Sequence, residues 1–375
     1  MRPHVLQNLF EPRSVALVCE SLRSGSTAEL LMEHMSAGSF TGELVVVCKE
    51  PPPEASIAHY PDFSSVARVV DLTVMVLPTA RVPAQLRACA EHGCRAVILI
   101  TPDGGEREQR RPGLTSEILD IADTYDIALL GPDSLGVIRP RVGLNVIASP
   151  NRVRAGSVAL LAQSAGFSNA LLDWAESNSF GFSLVATPGA GHGVNVGELL
   201  DFLSVDGQTR SVLVYLETIT DARTFLSGLR TAARVKPVLV LRSGRSAAGE
   251  KAETMADRVF DAAVARAGAV RVNTVHQLFT GARALMAGTR VKGNRLAIVT
   301  NASGPARMTQ DRAARRGVSL PVPSGKSEVE IKARVPGARL VGSAFDLLGD
   351  AGPDAYRDAT ATLLADGNYD AVLAL

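Results

Sequence analysis

Short apolar runs alternate along the chain with longer segments in which apolar positions have helical spacing. LVVVC (44–48), AVILI (96–100) and VLVL (238–241) are typical runs, and VGELLDFLSVD (196–206) is a typical helical segment. A run of this length predicts a buried strand, because a buried helix needs about ten residues or more. Strands that alternate with helices pair in parallel, with helices on both faces. The pattern therefore predicts an α/β fold built on doubly wound parallel sheets.

A strand, a turn of small polar residues and a helix start recur three times. The three segments are RSVALVCESLRSGS (13–26), GSVALLAQSAGFSN (156–169) and NRLAIVTNASGPAR (294–307). Their spacing of about 140 residues is the size of one doubly wound domain. We therefore predict three units, at residues 1–150, 151–290 and 291–375. The third shows fewer strands than the other two, so we expect an incomplete unit from a longer protein.

Composition and charge narrow the class of protein. Hydrophobic residues make up 46% of the 375-residue chain and aromatic residues only 5%, which is typical of aliphatic parallel sheets under alanine-rich helices. The net charge of +1 gives no general attraction to nucleic acid or to an acidic membrane. The apolar runs are far shorter than the roughly 20 residues that span a bilayer, and the N-terminus lacks an apolar signal core. We expect a soluble cytoplasmic protein with no nucleic-acid or membrane partner.

The cysteines give no sign of a metal site. All four, Cys19, Cys48, Cys89 and Cys94, lie in the first quarter of the chain, and none has C-x-x-C spacing. We therefore predict buried, reduced thiols and no bound metal.

Ser164 lies in the turn of the second repeat, and one interpretation is a nucleophile. AQSAG (162–166) resembles the G-x-S-x-G turn of hydrolases, with alanine in place of the first glycine. A catalytic triad would also need a later aspartate and a histidine base. The candidates are Asp201, Asp206, Asp221 and His276. The segment TVHQLF around that histidine, however, has the helical pattern typical of a surface residue.

The repetition favours a different use of the small-residue turns. The first repeat has CES and the third has NASG at the equivalent positions, and three nucleophiles in one chain would be unusual. Backbone amides at the start of a helix, flanked by small side chains, form a site for phosphate or another anion. Simple packing of strand against helix is the remaining interpretation. We therefore interpret Ser164 first as part of an anion site.

Over nearly its whole length the sequence resembles the ADP-forming acyl-CoA synthetase family, to which succinyl-CoA synthetase is related. The similarity rests on LFEPRSVALV (9–18), LLGPDSLGVIRP (129–140), AQSAGFSNALLDWA (162–175), LVYLE (213–217), KPVLVLRSGRS (236–246), VFDAAVARAG (259–268) and NRLAIVTNASG (294–304). The resemblance implies a Rossmann-like CoA-binding domain followed by two flavodoxin-like, succinyl-CoA ligase-like domains, the last of them incomplete.

The resemblance also implies two binding sites. Gln163, Ser164 and Ala165 match the family's phosphate-binding turn, and Glu217 matches the glutamate that orients a phosphorylated histidine. CoA or acetyl-CoA is the expected ligand of the first domain, without a tightly bound metal. The residues expected to contact it are Ser21, Arg23, Ser24, Gly25, Lys49, Pro78, Thr79 and Thr101.

Two family features are missing from this chain. The phosphate-carrying histidine belongs in an S-H-T-G-A motif, but residues 247–258 read AAGEKAETMADR. A covalent phosphoryl relay then lacks its carrier, and the phosphate turn would be vestigial. His192, in PGAGHGVNVG, is the one histidine in a comparable loop of the second unit. The family's glycine-rich G-A-S is replaced by Cys19, Glu20 and Ser21, and the Glu20 carboxylate opposes a bound phosphate.

One related group combines these features. Pat-type bacterial protein lysine acetyltransferases resemble this chain in Q-S-A at 163–165 and in YLETITDARTFLSGLR (215–230), and their synthetase-like part lacks the histidine. The resemblance implies a non-catalytic region that binds acetyl-CoA and regulates a GNAT acetyltransferase domain by population shift. Its partners would be acyl-CoA, ATP-grasp-like and GNAT domains or a separate subunit, and further copies of itself in a homo-oligomer.

Two alternatives stay open at this point. In the first, the chain is an active ADP-forming acid–thiol ligase, or its α-type subunit, with His192 or a histidine of a partner as the carrier. In the second, the units serve only as a platform for oligomerisation.

Overall fold

The computed structural model describes residues 6–37, 39–50, 57–101, 113–243, 255–286 and 291–375. The chain divides into two compact units, Met1–Ala287 and Gly288–Leu375. Parallel pairs predominate in each of its three sheets, so the predicted α/β fold with parallel sheets is confirmed. Within the described ranges, no helix combines the length and the apolar character needed to cross a bilayer.

The first sheet is entirely parallel. Its strands are β1 Ser14–Cys19, β2 Glu43–Val47, β3 Ala58–Tyr60, β4 Leu72–Val76, β5 Ala96–Ile100 and β6 Ala128–Leu130. The helices of this part are α1 Gln7–Phe10, α2 Thr27–Ala37, α3 Val82–Glu91 and α4 Leu114–Thr124. The strand order is β3-β2-β1-β4-β5-β6, so the direction in which the chain adds strands reverses between β1 and β4. Open α/β sheets bind ligands at the carboxyl ends of the strands beside such a reversal.

The second sheet has seven strands, in the same compact unit as the first. They are β7 Gly136–Arg139, β8 Leu144–Ile147, β9 Arg154–Ala162, β10 Gly181–Thr187, β11 Ser211–Leu216, β12 Val238–Arg242 and β13 Val270–Val272. The helices are α5 Ala165–Ser177, α6 Val196–Val205, α7 Ala222–Val235, α8 Met255–Ala267 and α9 Val275–Met286. The order is β13-β12-β11-β9-β10-β7-β8, and the β7–β8 hairpin pairs antiparallel with β10. The hairpin precedes residue 150 but belongs to this second sheet.

The third sheet forms the centre of the unit Gly288–Leu375. Its strands are β14 Leu296–Thr300, β15 Arg339–Val341, β16 Ala344–Asp346 and β17 Ala371–Ala374. Its helices are α10 Ser303–Arg316, α11 Gly325–Arg334 and α12 Pro353–Ala365. The order is β15-β16-β14-β17, with β14 parallel to both of its neighbours.

A buried ion pair joins β7 of the second sheet to the ends of α6 and α1. Arg139 on β7 is fully buried, and its two terminal nitrogens each lie 2.8 Å from an oxygen of Asp206, the residue that directly follows α6. Arg139 Nη2 also donates to Glu11 Oε1 at 2.9 Å, at the end of α1. Asp206 further accepts from Thr209 Oγ1 at 2.5 Å. A buried charge is stable only when it is paired and hydrogen-bonded in this way.

We expect this ion pair to make folding stability depend on acid pH. Burial raises the pKa of Asp206, but hydrogen bonds from Arg139 and Thr209 outweigh it and lower the pKa to about 2. An unfolded aspartate titrates near pH 3.9, so the pair contributes fully above about pH 4 and is lost as the pH falls toward about 2. The expected loss is about 2–3 kcal/mol. It is measured as the urea unfolding free energy at about pH 5, 4, 3 and 2.

The double substitution Arg139→Met with Asp206→Leu provides the comparison, because it removes both charges. Its unfolding free energy should fall less steeply over the same pH interval. Equal pH dependence in the two proteins would contradict the role assigned to Asp206.

Candidate functional site

A cavity of about 260 Å³ opens at the carboxyl ends of β1, β2 and β4. Cys19 ends β1, Cys48 follows β2 and Leu77 follows β4, and all three residues line it. The cavity therefore lies where the strand order reverses, which is the position that the fold favours for a ligand.

The charges around this cavity suit a phosphate group. Among the described residues of its lining, Glu20 is the acid, and Lys49 and Arg81 are the bases. Glu20 Oε1 lies 3.3 Å from Arg81 Nε, so the carboxylate expected to oppose phosphate is paired with an arginine. The lining keeps one positive charge in excess, which fits the phosphates of CoA. CoA is larger than this cavity, which would hold only one portion of it.

Arg81 is a cavity residue that the sequence analysis missed. It ends the short 3₁₀ turn Thr79–Arg81, directly after the predicted Pro78 and Thr79. Arg81 could have been identified from its position shortly after β4, because residues that follow the strands lie at the carboxyl edge of the sheet, where ligands bind.

Of the eight predicted CoA contacts, all within the described residues, Lys49 is the one that lines the cavity. Ser21, Arg23, Ser24 and Gly25 lie in the loop between β1 and α2. In that loop Gly25 N, at φ +76°, donates to Glu29 Oε2 of α2 at 2.6 Å. The contact of these residues with CoA stays a prediction.

The remaining predicted contacts lie at the ends of β4 and β5. Pro78 is half-buried, and Thr79 and Thr101 are buried. The Thr101 hydroxyl donates to Asp133 Oδ1 at 3.1 Å, so it is engaged within the protein.

The two thiols of the cavity are neutral. Burial raises the pKa of Cys19 to about 12, and burial also raises the pKa of Cys48. The charge of the lining is therefore set by Glu20, Lys49 and Arg81 alone among its described residues. All four cysteines are buried and unpaired.

The predicted phosphate turn lies at the carboxyl end of β9. Ser164 is the N-cap of α5, where its Oγ accepts from Phe167 N at 3.3 Å. Ala165 and Gly166 are exposed, and a Cβ added to Gly166 would meet no atom within 4 Å. The first turn of α5 is thus open to solvent, with its positive end available to an anion.

Gln163 connects this turn to Glu217. Its Oε1 accepts from Glu217 N at 2.7 Å and from Thr218 N at 3.0 Å. The Tyr215 hydroxyl donates to Glu217 Oε1 at 3.3 Å, and the Tyr215 ring stacks on Phe167 with centroids 4.0 Å apart. The structure therefore brings Gln163, the start of α5 and Glu217 together at the ends of β9 and β11.

The loop that carries His192 borders the same place. A Cβ added to Gly191 would lie 3.7 Å from Gln163 Nε2, and Thr220 Oγ1 donates to Gly191 O at 3.1 Å. His192 itself is exposed. Residues 247–254, most of the segment in which the family histidine belongs, lie outside the described residues.

The triad interpretation of Ser164 gains no support from this geometry. The carboxylate of Asp206 is bound by Arg139, and that of Asp221 accepts from Arg223 N and Thr224 N at the start of α7. Ser164 uses its own oxygen as a helix cap. These groups serve structural roles, and the anion-site interpretation is the one that fits.

Two sequence families match successive parts of the chain. The family described as "CoA binding domain" matches residues 13–140, and "Succinyl-CoA ligase like flavodoxin domain" matches residues 155–285. The chain therefore contains a Rossmann-like CoA-binding domain followed by a flavodoxin-like, succinyl-CoA ligase-like domain.

ADP-forming acetyl-CoA synthetases are homologues of this chain. It is 29% identical to acetate–CoA ligase [ADP-forming] I of Archaeoglobus fulgidus, over 99% of this chain and 54% of that protein. It is also 29% identical to the α subunit of the Pyrococcus furiosus ligase I, over 84% of this chain and 71% of the subunit. The dinucleotide-forming acetyl-coenzyme A synthetase 1 of Ca. Korarchaeum cryptofilum superposes with a TM-score of 0.90 at 26% identity, over 98% and 81% of the two chains. The chain spans about half the length of the Archaeoglobus protein.

The prediction of a regulatory region from a GNAT acetyltransferase is wrong. Relatives along almost the whole chain are named as ADP-forming ligases, and a structural neighbour at 26% identity is named as an acetyl-coenzyme A synthetase. That prediction took the absence of the S-H-T-G-A histidine to mean that the chain had lost phosphoryl transfer. The backbone of Glu217 is nevertheless still held by Gln163 beside an open helix start.

Proposed function

We propose that this chain is the CoA- and phosphate-binding part of an ADP-forming acid–thiol ligase. The observation that carries the proposal is the assembled turn in which Gln163 holds the Glu217 backbone beside the open start of α5. The names of the relatives support it, and they put acetate first among the acids to test. Some relatives are separate α subunits, so ADP would bind to another part of the protein or to a separate subunit.

The proposed reaction has three steps. Phosphate attacks the thioester carbonyl of the acyl-CoA, which forms an acyl phosphate and releases CoA. A histidine nitrogen then takes the phosphoryl group, and the carboxylate leaves. Phosphohistidine finally transfers the group to ADP, which gives ATP and regenerates the imidazole. In this scheme the first sheet holds CoA, and the start of α5 holds the phosphate that enters the first step.

We assign the histidine of the second step to His192. Its loop borders Gln163, and it is exposed to an incoming acyl phosphate. Glu217 supplies a carboxylate at the same edge of the sheet, and a carboxylate beside an imidazole fixes its tautomer and supports its protonated form.

Incubation of the full chain with acetyl phosphate labelled on phosphorus tests this function. We expect a covalent label that is stable in alkali and released by acid, as a phosphorylated imidazole requires. No nucleotide-binding partner is needed for this step. Complete absence of label on a folded chain would refute a ligase that carries the phosphoryl group on this chain.

A further inference from the structure

The ion pair between Glu20 and Arg81, which both line the cavity, has no role in the proposed ligase reaction. Glu20 Oε1 and Arg81 Nε are 3.3 Å apart, and the two side chains are 47% and 64% exposed. Both residues line the same cavity as Lys49. A surface ion pair of this kind contributes little to folding, so its charges are available for another use.

Glu20 and Arg81 lie at the carboxyl edge of the first sheet, where a ligand is expected. Glu20 directly follows β1, and Arg81 ends the turn that leads from β4 into α3. These strands are neighbours and lie on the two sides of the strand-order reversal. A phosphate that enters between them meets Arg81 and Lys49, and it also meets the Glu20 carboxylate.

We propose that Glu20 competes with the phosphate of CoA for Arg81 and thereby sets the affinity of the cavity for CoA. Before binding, the guanidinium is paired with the carboxylate. A phosphate group displaces Glu20 because it offers more acceptor oxygens and more negative charge to the same guanidinium. Glu20 then remains close to the phosphate as an unfavourable like charge. The inference rests on CoA binding as part of the proposed function.

The test compares dissociation constants for CoA by equilibrium dialysis of the full chain. Glu20→Gln should bind CoA about three- to ten-fold more tightly than wild type, since one like charge near the phosphate is removed. Arg81→Gln should bind about ten-fold more weakly, because it removes a cation and leaves Glu20 without its partner. Glu91→Gln, an exposed change at the end of α3 outside the cavity lining, is the matched control and should bind as wild type.

The salt dependence of CoA affinity distinguishes charge competition by Glu20 from a purely structural role. The gain of Glu20→Gln should shrink at about 0.5 M salt, where charge interactions of exposed groups are screened. Dephospho-CoA locates the group involved. If Glu20→Gln also binds dephospho-CoA more tightly than wild type, the competing group is the pyrophosphate. If it does not, the competing group is the 3′-phosphate. Both results support the proposal.

Two failures are distinguishable. If wild type binds CoA and Glu20→Gln binds it equally or more weakly, the competition is refuted while the proposed function stands. If neither wild type nor any variant binds CoA, the proposed function itself fails.

Discussion

Arg139→Met is expected to lower the free energy of unfolding of the first unit by about 3–5 kcal/mol. The substitution leaves the Asp206 carboxylate, whose side chain is 5% exposed, without the guanidinium that holds both of its oxygens. It also removes the contact with Glu11, which ties α1 to the β7–β8 hairpin. The measurement is a urea titration followed by the fluorescence of Trp174, the single tryptophan, which stacks on Phe279.

Two further variants distinguish the destabilisation caused by an unpaired buried charge from a general effect of losing an arginine. Arg230→Met changes an exposed arginine on α7 and should alter stability by less than about 0.5 kcal/mol. Adding Asp206→Leu to Arg139→Met should restore part of the loss, because no uncompensated charge then remains. An Arg139→Met protein within about 1 kcal/mol of wild type would refute the account of this ion pair.

His192→Ala is expected to abolish the covalent phosphoryl label that acetyl phosphate leaves on the chain, with a decrease of at least about 100-fold. The reason is that alanine has no nitrogen to accept the phosphoryl group. Because His192 is exposed in a loop, its removal should leave the fold intact. The amount of label per chain after a fixed incubation is the measured quantity.

The matched control is His276→Ala, which removes another exposed histidine, on α9, and should be labelled as wild type. Glu217→Gln should be labelled more slowly but still on the same histidine, because our proposal assigns the Glu217 carboxylate to orienting the imidazole. If His192→Ala keeps the full label, the carrier is another residue of the chain, and our assignment is wrong.

The regular elements of the fold could be predicted from the sequence because local patterns determine them. The apolar runs 96–100 and 238–241 correspond to β5 Ala96–Ile100 and β12 Val238–Arg242, and the segment 196–206 corresponds to α6 Val196–Val205. The grouping of Gln163, Ser164 and Glu217 was expected from the family resemblance, because the local pattern does not show that β9 and β11 are neighbours.

Contacts between distant residues could not be predicted in this way. Arg139 lies 67 positions from Asp206 and 128 from Glu11, and nothing in the local pattern of β7 indicates a buried cation. Arg81 was missed for a similar reason, because its pairing with Glu20 depends on the adjacency of β1 and β4. The domain boundaries at 150 and 290, the cytoplasmic location and the homo-oligomer stay predictions.

Calorimetric titration of the full chain with CoA tests the central claim most directly. The account predicts one CoA bound per chain, with an affinity that decreases as salt is added, because Lys49 and Arg81 line the cavity proposed to hold its phosphates. Absence of heat at millimolar CoA, from a chain shown to be folded, would contradict the claim that the β1–β2–β4 edge is a CoA site.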